Sequence, residues 1–308
     1  MKSIEEYCQF VRGLVAKQGP FPEDDAEVQQ VADALFADIL AHRLGSVDVL
    51  ELRRNFGHAL DSCATLQGHA LAKPYGYPGD FELFDKIYTH HVNPDPRYVR
   101  WDEFFHRLDA PTAVRNRKAW LVHLLQQKHD ASQRPLRVLI VGSGPGRDVW
   151  EFLQSRPGGA YFDCVELDPR GIEYAQHLCH SVLSHVRFHQ GSILRFKTDT
   201  RYDVIWSGGL FDYFNDRLFV RALIQLSHLL VAGGELIIGN FAANSSRGFM
   251  ELVSDWKLTL RTPEALHRLA STAGASTENI RIDREPIGVN LFLRVTTQDT
   301  NAPPATAD

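Results

Sequence analysis

The apolar positions in the first third of the chain recur at the spacing of an α-helix. Four such stripes begin at Ile4, Val28, Val49 and Trp101, and within each stripe the apolar residues follow one another mostly at intervals of three or four positions. This spacing places the side chains on one face of a helix. The pattern therefore predicts a group of amphipathic helices, each with one buried face.

Beyond Leu136, short apolar runs alternate with helical segments. The runs are RVLIVG, YFDCVEL, VRFHQG, YDVIWSGG and GELIIGN. Strands that alternate with helices are typical of a parallel sheet with right-handed crossovers. The segment NIRIDREPIGVNLFLRVTTQ instead contains two strands joined by a turn with Pro and Gly, which predicts a closing antiparallel hairpin.

Together these patterns predict an α/β protein with a Rossmann-like sheet of seven strands. The sheet is expected to be mostly parallel, with an antiparallel last strand, and to follow an N-terminal helical cap. We place the cap at residues 1–130 and the sheet domain at residues 131–298. Residues 299–308 are predicted to be a disordered tail, because the segment TNAPPATAD has nothing to bury.

The composition of the chain bears on which partners it binds and where in the cell it is located. The 308 residues include 33 Lys and Arg against 38 Asp and Glu, which gives a net charge of −5, and no long basic run occurs. We therefore expect no nucleic-acid partner. The four cysteines lie far apart, the N-terminus lacks an apolar core, and no run reaches the roughly 18 residues of a membrane span. These features predict a cytoplasmic protein with reduced thiols and no membrane insertion.

The stretch LRVLIVGSGPGRDVWEFL combines a strand, a glycine turn and a helix. Backbone N–H groups at such a turn point outward, so a nucleotide-like ligand can approach closely. Gly142, Gly144 and Gly146 give the pattern GxGxG, whereas the dinucleotide fingerprint GxGxxG would need glycine where Arg147 stands. The spacing disfavours a dinucleotide, although a tight turn without any ligand also remains open.

This turn resembles motif I of the class I methyltransferases that depend on S-adenosylmethionine. The resemblance implies S-adenosylmethionine as the cofactor, bound at Gly142, Ser143, Gly144 and Gly146. The next strand ends in VELDP, where the Glu166 carboxylate could take both ribose hydroxyls, with Leu167 beside it. Asp168 is either a second candidate for the ribose or the cap of the helix that begins at Pro169.

The other predicted cofactor contacts follow from the same alignment of elements. Ser192 and Ile193, after the third strand, are expected to border the adenine, and Arg147 and Asp148 are candidates for the methionine moiety. Each has a simpler interpretation: Asp148 is favoured at a helix N-terminus by the helix dipole alone, and Arg147 could face solvent. Methyltransferases of this class often have an acidic residue where this chain has Ile140.

Four blocks resemble a narrower group. AKPYGYPGDFELFDKIY, GSGPGRD, SGGLFDYFNDR and the stretch from GNF through FMELVSDWKLTLRTPEAL resemble the bacterial extracellular-factor 3-hydroxypalmitic acid methyl ester synthases and their relatives. The resemblance implies a helical cap over a methyltransferase core and a small-molecule acceptor. Carboxyl O-methylation of a hydroxy fatty acid or a similar acid is the activity we expect. S- or N-methylation of an amino acid such as methionine, or of a natural-product intermediate, remains an alternative.

Two alternatives belong to other classes. An NAD(P)-dependent oxidoreductase shares the strand, the glycine turn and the ribose carboxylate, and a non-catalytic module that binds S-adenosylmethionine would share the whole cofactor face. The first would need the GxGxxG spacing that this chain lacks.

Residues that could close the site or hold the acceptor lie in two stretches. In KPYGYPGD, Tyr75 and Tyr77 are candidates for a lid over the cofactor, and the simpler interpretation is an aromatic turn in which Asp80 caps the next helix. Asp212 and Tyr213 follow the fourth strand, where open parallel sheets bind their ligands. The predicted catalytic residues are Tyr77, Asp212 and Tyr213, and the predicted acceptor contacts are Asp212, Tyr213, Asn240, Phe241 and Arg261.

No metal is predicted. Asp212 and Asn240 alone make a poor oxygen site, and the segments HLCH and THH lack the spacing of a zinc site. A homodimer is a possible assembly.

Overall fold

The computed structural model of the chain describes residues 2–297. The predicted tail at residues 299–308 lies outside the described residues. Within them the chain forms two compact units. The first contains the residues up to Arg115 together with Ala243–Lys257, and the second contains Asn116–Ala242 together with the residues from Leu258 onward.

Seven helices precede the first strand. They are α1 (Ile4–Ala16), α2 (Asp25–Leu40), α3 (Ser46–Asn55), α4 (Leu66–Ala72), α5 (Phe81–Tyr88), α6 (Val99–Arg107) and α7 (Asp109–Asp130). The predicted stripes are buried: in α1, for example, Tyr7, Cys8, Val11 and Leu14 face the core. Ser3 caps α1 in a capping box with Glu6, which satisfies backbone N–H groups that a helix start leaves unpaired.

Within the described residues, the sheet unit contains seven strands and four of the remaining five α-helices, while the other one belongs to the first unit. Along the chain these are β1 (Leu136–Val141), α8 (Arg147–Ser155), β2 (Ala160–Glu166), α9 (Pro169–Leu178), β3 (Val186–Gln190), β4 (Tyr202–Ser207), α10 (Asp216–Ser227), β5 (Leu230–Phe241), α11 (Arg247–Leu252, in the segment that joins the first unit), α12 (Pro263–Thr272), β6 (Ile280–Arg284) and β7 (Asn290–Thr296). The strand order is β3-β2-β1-β4-β5-β7-β6.

The predicted fold is confirmed. Strands β1 to β5 pair in parallel, while β7 runs antiparallel to both β5 and β6. The hairpin folds back so that β7 enters between β5 and β6, and β6 forms the edge. The more apolar strand of the hairpin takes the inner position. The strand β7 (NLFLRVT) is almost entirely buried, whereas the edge strand β6 (IRIDR) is only partly buried.

The division between the units differs from the boundary expected at residue 130. Helix α7 crosses residue 115 without a break, and its Leu121, Leu124 and Leu125 belong to the core of the sheet unit. The segment Ala243–Lys257 belongs to the helical unit, because Phe249 and Leu252 pack in the core of that unit. A helix continues across a domain boundary without any local signal, so periodicity placed this boundary too late.

Parallel pairing brings the ends of β1, β2, β4 and β5 to one edge of the sheet. Val141 is in register with Val165, and Ser207 donates a hydrogen bond to the Val141 carbonyl at 3.1 Å. Ser207 is in turn in register with Ile238. The turns that follow these four strands therefore share one edge, which we call the carboxyl edge.

Close packing at this edge requires Gly239 in β5. A Cβ at this position would lie 2.3 Å from the Gly208 carbonyl oxygen. We predict that Gly239→Ala lowers the free energy of unfolding by about 1 to 3 kcal/mol, the usual cost of an overpacked core. Urea denaturation measures this. As a control, Gly13→Ala in α1 meets no atom within 4 Å, so it should leave stability unchanged or raise it by up to about 1 kcal/mol. Equal effects of the two substitutions would contradict the prediction.

Candidate functional site

The glycine turn after β1 adopts a backbone that favours glycine at three positions. Gly142, Gly144 and Gly146 have φ angles of 65°, 53° and 71°, all in the left-handed region. A Cβ at Gly142 would lie 3.2 Å from the Cβ of Leu210, whereas a Cβ at Gly144 would meet no atom within 4 Å. The turn therefore packs against the segment after β4 on one side and leaves open space at Gly144.

The Glu166 carboxylate, at the end of β2, faces this turn. Its Oε2 accepts a hydrogen bond from the Gly144 N–H at 2.9 Å, and its Oε1 accepts from the N–H groups of Leu167 at 2.8 Å and Asp168 at 3.1 Å. These bonds fix the carboxylate beside the glycine turn. The neighbouring Leu167 side chain is 68% exposed, which is unusual for a large apolar residue.

Ser143 is a polar group without a partner in the described part of the chain. Its hydroxyl is buried at the glycine turn and makes no hydrogen bond within residues 2–297. A buried hydroxyl without a partner costs free energy. The turn therefore offers a hydrogen-bonding group that a ligand could use.

Asp148 and Arg147 begin α8 directly after the turn. Asp148 is partly buried, accepts a hydrogen bond from the Val149 N–H at 2.9 Å, and burial raises its pKa to about 6. The guanidinium of Arg147 lies 5.8 Å from the centre of the Trp150 ring. Both residues thus lie where a ligand of the glycine turn would extend.

Three residues near the predicted adenine and ribose have clear structural roles. Asp168 caps α9 by accepting from the Arg170 N–H at 3.0 Å, and its carboxylate also pairs with the Arg170 guanidinium at 2.9 Å. The Ser192 hydroxyl accepts from the Leu194 N–H at 3.4 Å. Ile193 is buried in the core with Val165. Of the two carboxylates considered for the ribose, Glu166 accepts a hydrogen bond from the glycine turn itself.

Asp212, in the turn after β4, is buried at the carboxyl edge. Its Oδ1 accepts a hydrogen bond from the Phe241 N–H at 2.7 Å. Burial raises the pKa of this carboxyl to about 7, while the charges of Arg117 and Arg261 oppose that rise. Tyr213 beside it is 44% exposed.

Arg261 and Asn240, two of the predicted acceptor contacts, belong to a hydrogen-bond network within the protein. Both are buried, and Arg261 Nη1 donates to Asn240 Oδ1 at 2.8 Å. The other guanidinium bonds go to the carbonyls of Phe211 and Phe214 and to the Asp216 carboxylate. All five guanidinium N–H groups are thereby used. Phe241, the third residue of this group, is buried as well. The acceptor contacts predicted for Asn240, Phe241 and Arg261 stay predictions.

Arg117 of α7 is a candidate that the sequence analysis missed. Its side chain is buried at the carboxyl edge, where its Nη1 donates to Asn290 Oδ1 at 3.4 Å. A Cβ at Gly209 would lie 2.9 Å from both terminal guanidinium nitrogens. The adjacent glycines 208 and 209 indicated a close approach at this point, but no local pattern could identify the group that approaches.

In the helical unit, the stretch KPYGYPGD forms a turn held by a polar network. Asp80 caps α5 and its carboxylate lies 2.9 Å from Nε2 of the buried His69. The Tyr75 hydroxyl donates to Glu82 at 2.7 Å, and its ring packs against Phe81 with a centroid distance of 4.4 Å. The cap role predicted for Asp80 as the simpler interpretation is present. The lid role of Tyr75 and Tyr77 stays a prediction.

Metal ligands do not cluster in the part of the chain that the structure describes. Within residues 2–297, no three His, Cys, Asp or Glu side chains are grouped so that they could hold an ion.

Because all five N–H groups of the Arg261 guanidinium donate hydrogen bonds within the protein, we expect this side chain to stabilise the fold. Arg261→Met should lower the free energy of unfolding by about 3 kcal/mol or more, because two carbonyls and the Asn240 amide would lose their buried donor. Arg268→Met, at an exposed position of helix α12, which follows Arg261, should change it by less than about 0.5 kcal/mol. Urea denaturation of both variants measures the difference. Full stability of Arg261→Met would show that these bonds contribute little.

The raised pKa of Asp212 predicts a pH dependence of stability. Between about pH 4 and pH 7 the unfolded chain ionises this carboxyl, whereas the folded chain keeps it protonated, so the stability that it contributes at low pH is lost as pH rises to about 7. The Asp212→Asn variant should lack this loss, and between pH 5 and pH 8 the stabilities of the two proteins should diverge by about 3 kcal/mol, because the loss continues from pH 5 up to about pH 7. Urea denaturation at pH 5 and pH 8 measures it, with exposed Asp199→Asn as the control. Parallel curves for wild type and Asp212→Asn would contradict the assignment.

Comparison with known proteins gives one match in sequence and several in structure. Residues 138–234 match the family model of a methyltransferase domain. No curated protein matches the chain. Among the helices of residues 2–297, none is both long and apolar enough to cross a membrane.

Among the similar solved structures is a possible exported protein from Bordetella parapertussis. It is 16% identical, with a TM-score of 0.62 over 96% of this chain and 95% of that chain. The magnesium protoporphyrin IX methyltransferase from Synechocystis, with bound S-adenosylhomocysteine, is 12% identical, with a TM-score of 0.49 over 62% and 87%. The 1,6-didemethyltoxoflavin N1-methyltransferase from Burkholderia thailandensis is 19% identical, with a TM-score of 0.46 over 59% and 79%.

The likeness to the Bordetella protein shows that this fold recurs in another chain. The family match covers the glycine turn, Glu166 and the strands up to the turn before β5. Residues 138–234 are therefore similar to a methyltransferase domain, and they lie on a Rossmann-like sheet.

Proposed function

We propose that this chain transfers a methyl group from S-adenosylmethionine to the carboxylate of a small acid, for which a hydroxy fatty acid is the expected example. The assignment of the cofactor rests on the hydrogen bond between the Glu166 carboxylate and the Gly144 N–H. This bond holds a carboxylate beside a glycine turn that has open space at Gly144. The acceptor part rests on the four sequence blocks described above and on the chemistry of the carboxyl edge.

The residues at the turn fit the parts of the cofactor. A carboxylate accepts about four hydrogen bonds, and Glu166 uses three on backbone N–H groups, so it keeps capacity for a ribose hydroxyl. The exposed Leu167 offers apolar surface beside it. The Ser143 hydroxyl, which has no partner among the described residues, supports a contact to the methionine moiety, and Asp148 is proposed to contact the amino group of that moiety.

When bound, S-adenosylmethionine supplies a methyl group activated by a sulfonium. The protein's contribution to such a displacement is mainly to position the acceptor and exclude water, which can lower a barrier by about 7 to 11 kcal/mol. The carboxyl edge is where the ligands of open parallel sheets bind, and it carries Asp212 and the half-exposed Tyr213. We propose Asp212 and Tyr213 as the catalytic residues of this edge.

A carboxylate acceptor suits the protonation of this edge. An amine or hydroxyl must lose a proton to a base during the transfer, whereas an ionised carboxylate does not. Asp212 accepts from the Phe241 N–H, and burial makes its carboxyl hard to ionise, so it is a poor base below pH 7. A carboxylate acceptor thus needs no ionised Asp212, whereas an amine or hydroxyl acceptor would use Asp212 as its base only above about pH 7.

Tyr77 stays the proposed lid residue of the helical unit. Tyr75, whose hydroxyl donates to Glu82, stays the second proposed lid residue. The small-molecule acceptor, the cytoplasmic location and the homodimer also stay predictions.

Two measurements test the proposed function directly. Calorimetric titration should show binding of S-adenosylhomocysteine and none of NADH. Methyl transfer from radiolabelled S-adenosylmethionine should then occur to members of a panel of hydroxy fatty acids and other carboxylic acids, in preference to amines and thioethers. Binding of NADH alone would overturn the cofactor assignment, and transfer only to amines or thioethers would overturn the acceptor class.

Variants of the turn test the assignment of the cofactor site. Glu166→Gln should weaken S-adenosylhomocysteine binding about 10- to 100-fold, because hydrogen bonds to a charged group are worth about 1.5 to 3 kcal/mol. Gly144→Val should abolish binding by filling the open space and straining the backbone. Exposed Glu173→Gln in α9 is the matched control and should bind as the wild type does. An unchanged affinity of Glu166→Gln would show that this carboxylate does not hold the ribose.

A further inference from the structure

The connection between β3 and β4 in the sheet unit contains no α-helix. Between Gln190 and Tyr202 the chain forms one turn of 3₁₀-helix at Ile193–Arg195 and is otherwise irregular. The helices that join the strands of a parallel sheet normally cover both of its faces. The face on which this connection runs is therefore less covered at the amino ends of β1, β2 and β3.

Polar side chains occupy this part of the sheet. Arg137 of β1 is in register with Tyr161 of β2, and Asp163 of β2 is in register with Arg187 of β3. Because side chains alternate between the two faces along a strand, these four residues share one face. The residues beside them in the strands belong to an apolar core on the opposite face: Val138, Phe162 and Val186.

The same four residues line a surface pocket of about 460 Å³, together with Ser184, His185 and Thr200. Pockets that hold small molecules measure about 300 to 1,000 Å³, so this one has room for a small ligand. It lies at the amino ends of the strands, whereas the glycine turn and Glu166 lie at the carboxyl edge. The pocket is therefore separate from the proposed cofactor site.

The Asp163 carboxylate in this pocket is fully used by the protein. It is buried, and the Arg187 guanidinium donates to its two oxygens at 3.0 and 3.1 Å. The Tyr202 hydroxyl donates to Oδ2 at 2.9 Å, and Nε2 of His189 lies 2.7 Å from Oδ1. A carboxylate accepts about four hydrogen bonds. Asp163 thus keeps no acceptor capacity for a ligand, and it holds Arg187 in place.

Positive charge exceeds negative charge around the pocket. The nearest carboxylate of β4, that of Asp203, accepts from the Arg137 backbone N–H at 2.8 Å and pairs with the Arg134 guanidinium at 2.6 Å. Two carboxylates thus stand beside three arginines. Within residues 2–297, Arg187 uses two of its five N–H groups, both on Asp163. The pocket therefore offers mainly hydrogen-bond donors, which favours an anionic ligand.

An aromatic pair adds a second kind of contact. The rings of Tyr161 and His185 are stacked, with a centroid distance of 5.3 Å and an interplanar angle of 22°. Tyr161 nevertheless stays 52% exposed. Exposed aromatic rings stack with the planar rings of ligands, including nucleobases. The pocket therefore combines donors for an anion with a surface for a planar ring.

We propose that this pocket binds a nucleoside monophosphate, with Arg137 and Arg187 on the phosphate and Tyr161 stacked on the base. The two arginines stand on the strands at either side of β2, so both can approach one phosphate above that strand. Their planar guanidinium groups match phosphate oxygens, since two N–H groups can donate in parallel. The site is a second one on the sheet unit, and the inference does not depend on the proposed function.

Calorimetric titration of the full chain with adenosine monophosphate tests the proposal, with and without saturating S-adenosylhomocysteine. Adenosine monophosphate should bind equally in both cases. Adenosine and inorganic phosphate, each of which lacks one half of the ligand, should bind at least about 10-fold more weakly. Absence of saturable binding would overturn the proposal. Binding that S-adenosylhomocysteine displaces would also overturn it, because the nucleotide would then occupy the glycine turn. Equal affinity for inorganic phosphate would overturn the role of the ring.

Variants at the pocket locate the binding. Arg137→Gln should weaken the binding of adenosine monophosphate about 10- to 100-fold, the size expected for a lost charged hydrogen bond. Tyr161→Ala should weaken it about 10-fold, whereas Tyr161→Phe keeps the ring and should bind within about twofold of wild type. Exposed Arg221→Gln in α10 is the matched control for charge and should bind as the wild type does.

The variants also separate this pocket from other sites. Arg137 and Tyr161 are both exposed, so their variants should keep the melting temperature of the wild type. Unchanged affinity in both Arg137→Gln and Tyr161→Ala would overturn the assignment, because the nucleotide would then bind elsewhere. An equal loss in Arg221→Gln would overturn it as well, since it would show that the net charge of the chain and no particular pocket governs the binding.

Discussion

The candidate site depends on the parallel pairing of β1 with β2 and β4. Because these strands run in one direction and in register, the glycine turn, Glu166 and the Gly208–Tyr213 segment emerge at the same edge. A short hydrogen bond from Ser207 to the Val141 carbonyl ties the ends of β1 and β4 together. Every proposed contact of the sheet unit with a ligand starts from this edge. A one-residue slip would turn each of these side chains to the opposite face of the sheet.

Hydrogen bonding divides the buried polar groups of this edge into two kinds. Arg261 and Asn240 have protein partners for their donors, and they hold the end of β5 against the segment after β4. Ser143 has no partner among the described residues, and Glu166 has acceptor capacity beyond the bonds it makes. Saturated groups stabilise a fold, whereas unsaturated ones at an edge mark where a ligand completes the structure. This criterion, more than burial itself, separates scaffold from site here.

The two units were predictable to different degrees. The helical stripes, the strands and the hairpin follow from periodicity, since apolar spacing reports which face is buried. The division of the chain did not follow from periodicity. Helix α7 runs through the boundary, and Ala243–Lys257 joins the helical unit because Phe249 and Leu252 pack there. The position of β7 between β5 and β6 was not predicted either. It depends on which strand of the hairpin is the more apolar, and the strand order became known only from the pairing of the strands.

The sequence by itself determined the class of fold, the glycine turn and the carboxylate that faces it. These are local properties: glycine is needed where φ is positive, and a carboxylate at a strand end lies beside the neighbouring turn. Only the tertiary structure decided which polar residues of the carboxyl edge are used by the protein. Arg261, for example, is held by hydrogen-bond partners that come from segments 21 to 50 residues away in the chain. Such partners are set by folding, and no local pattern contains them.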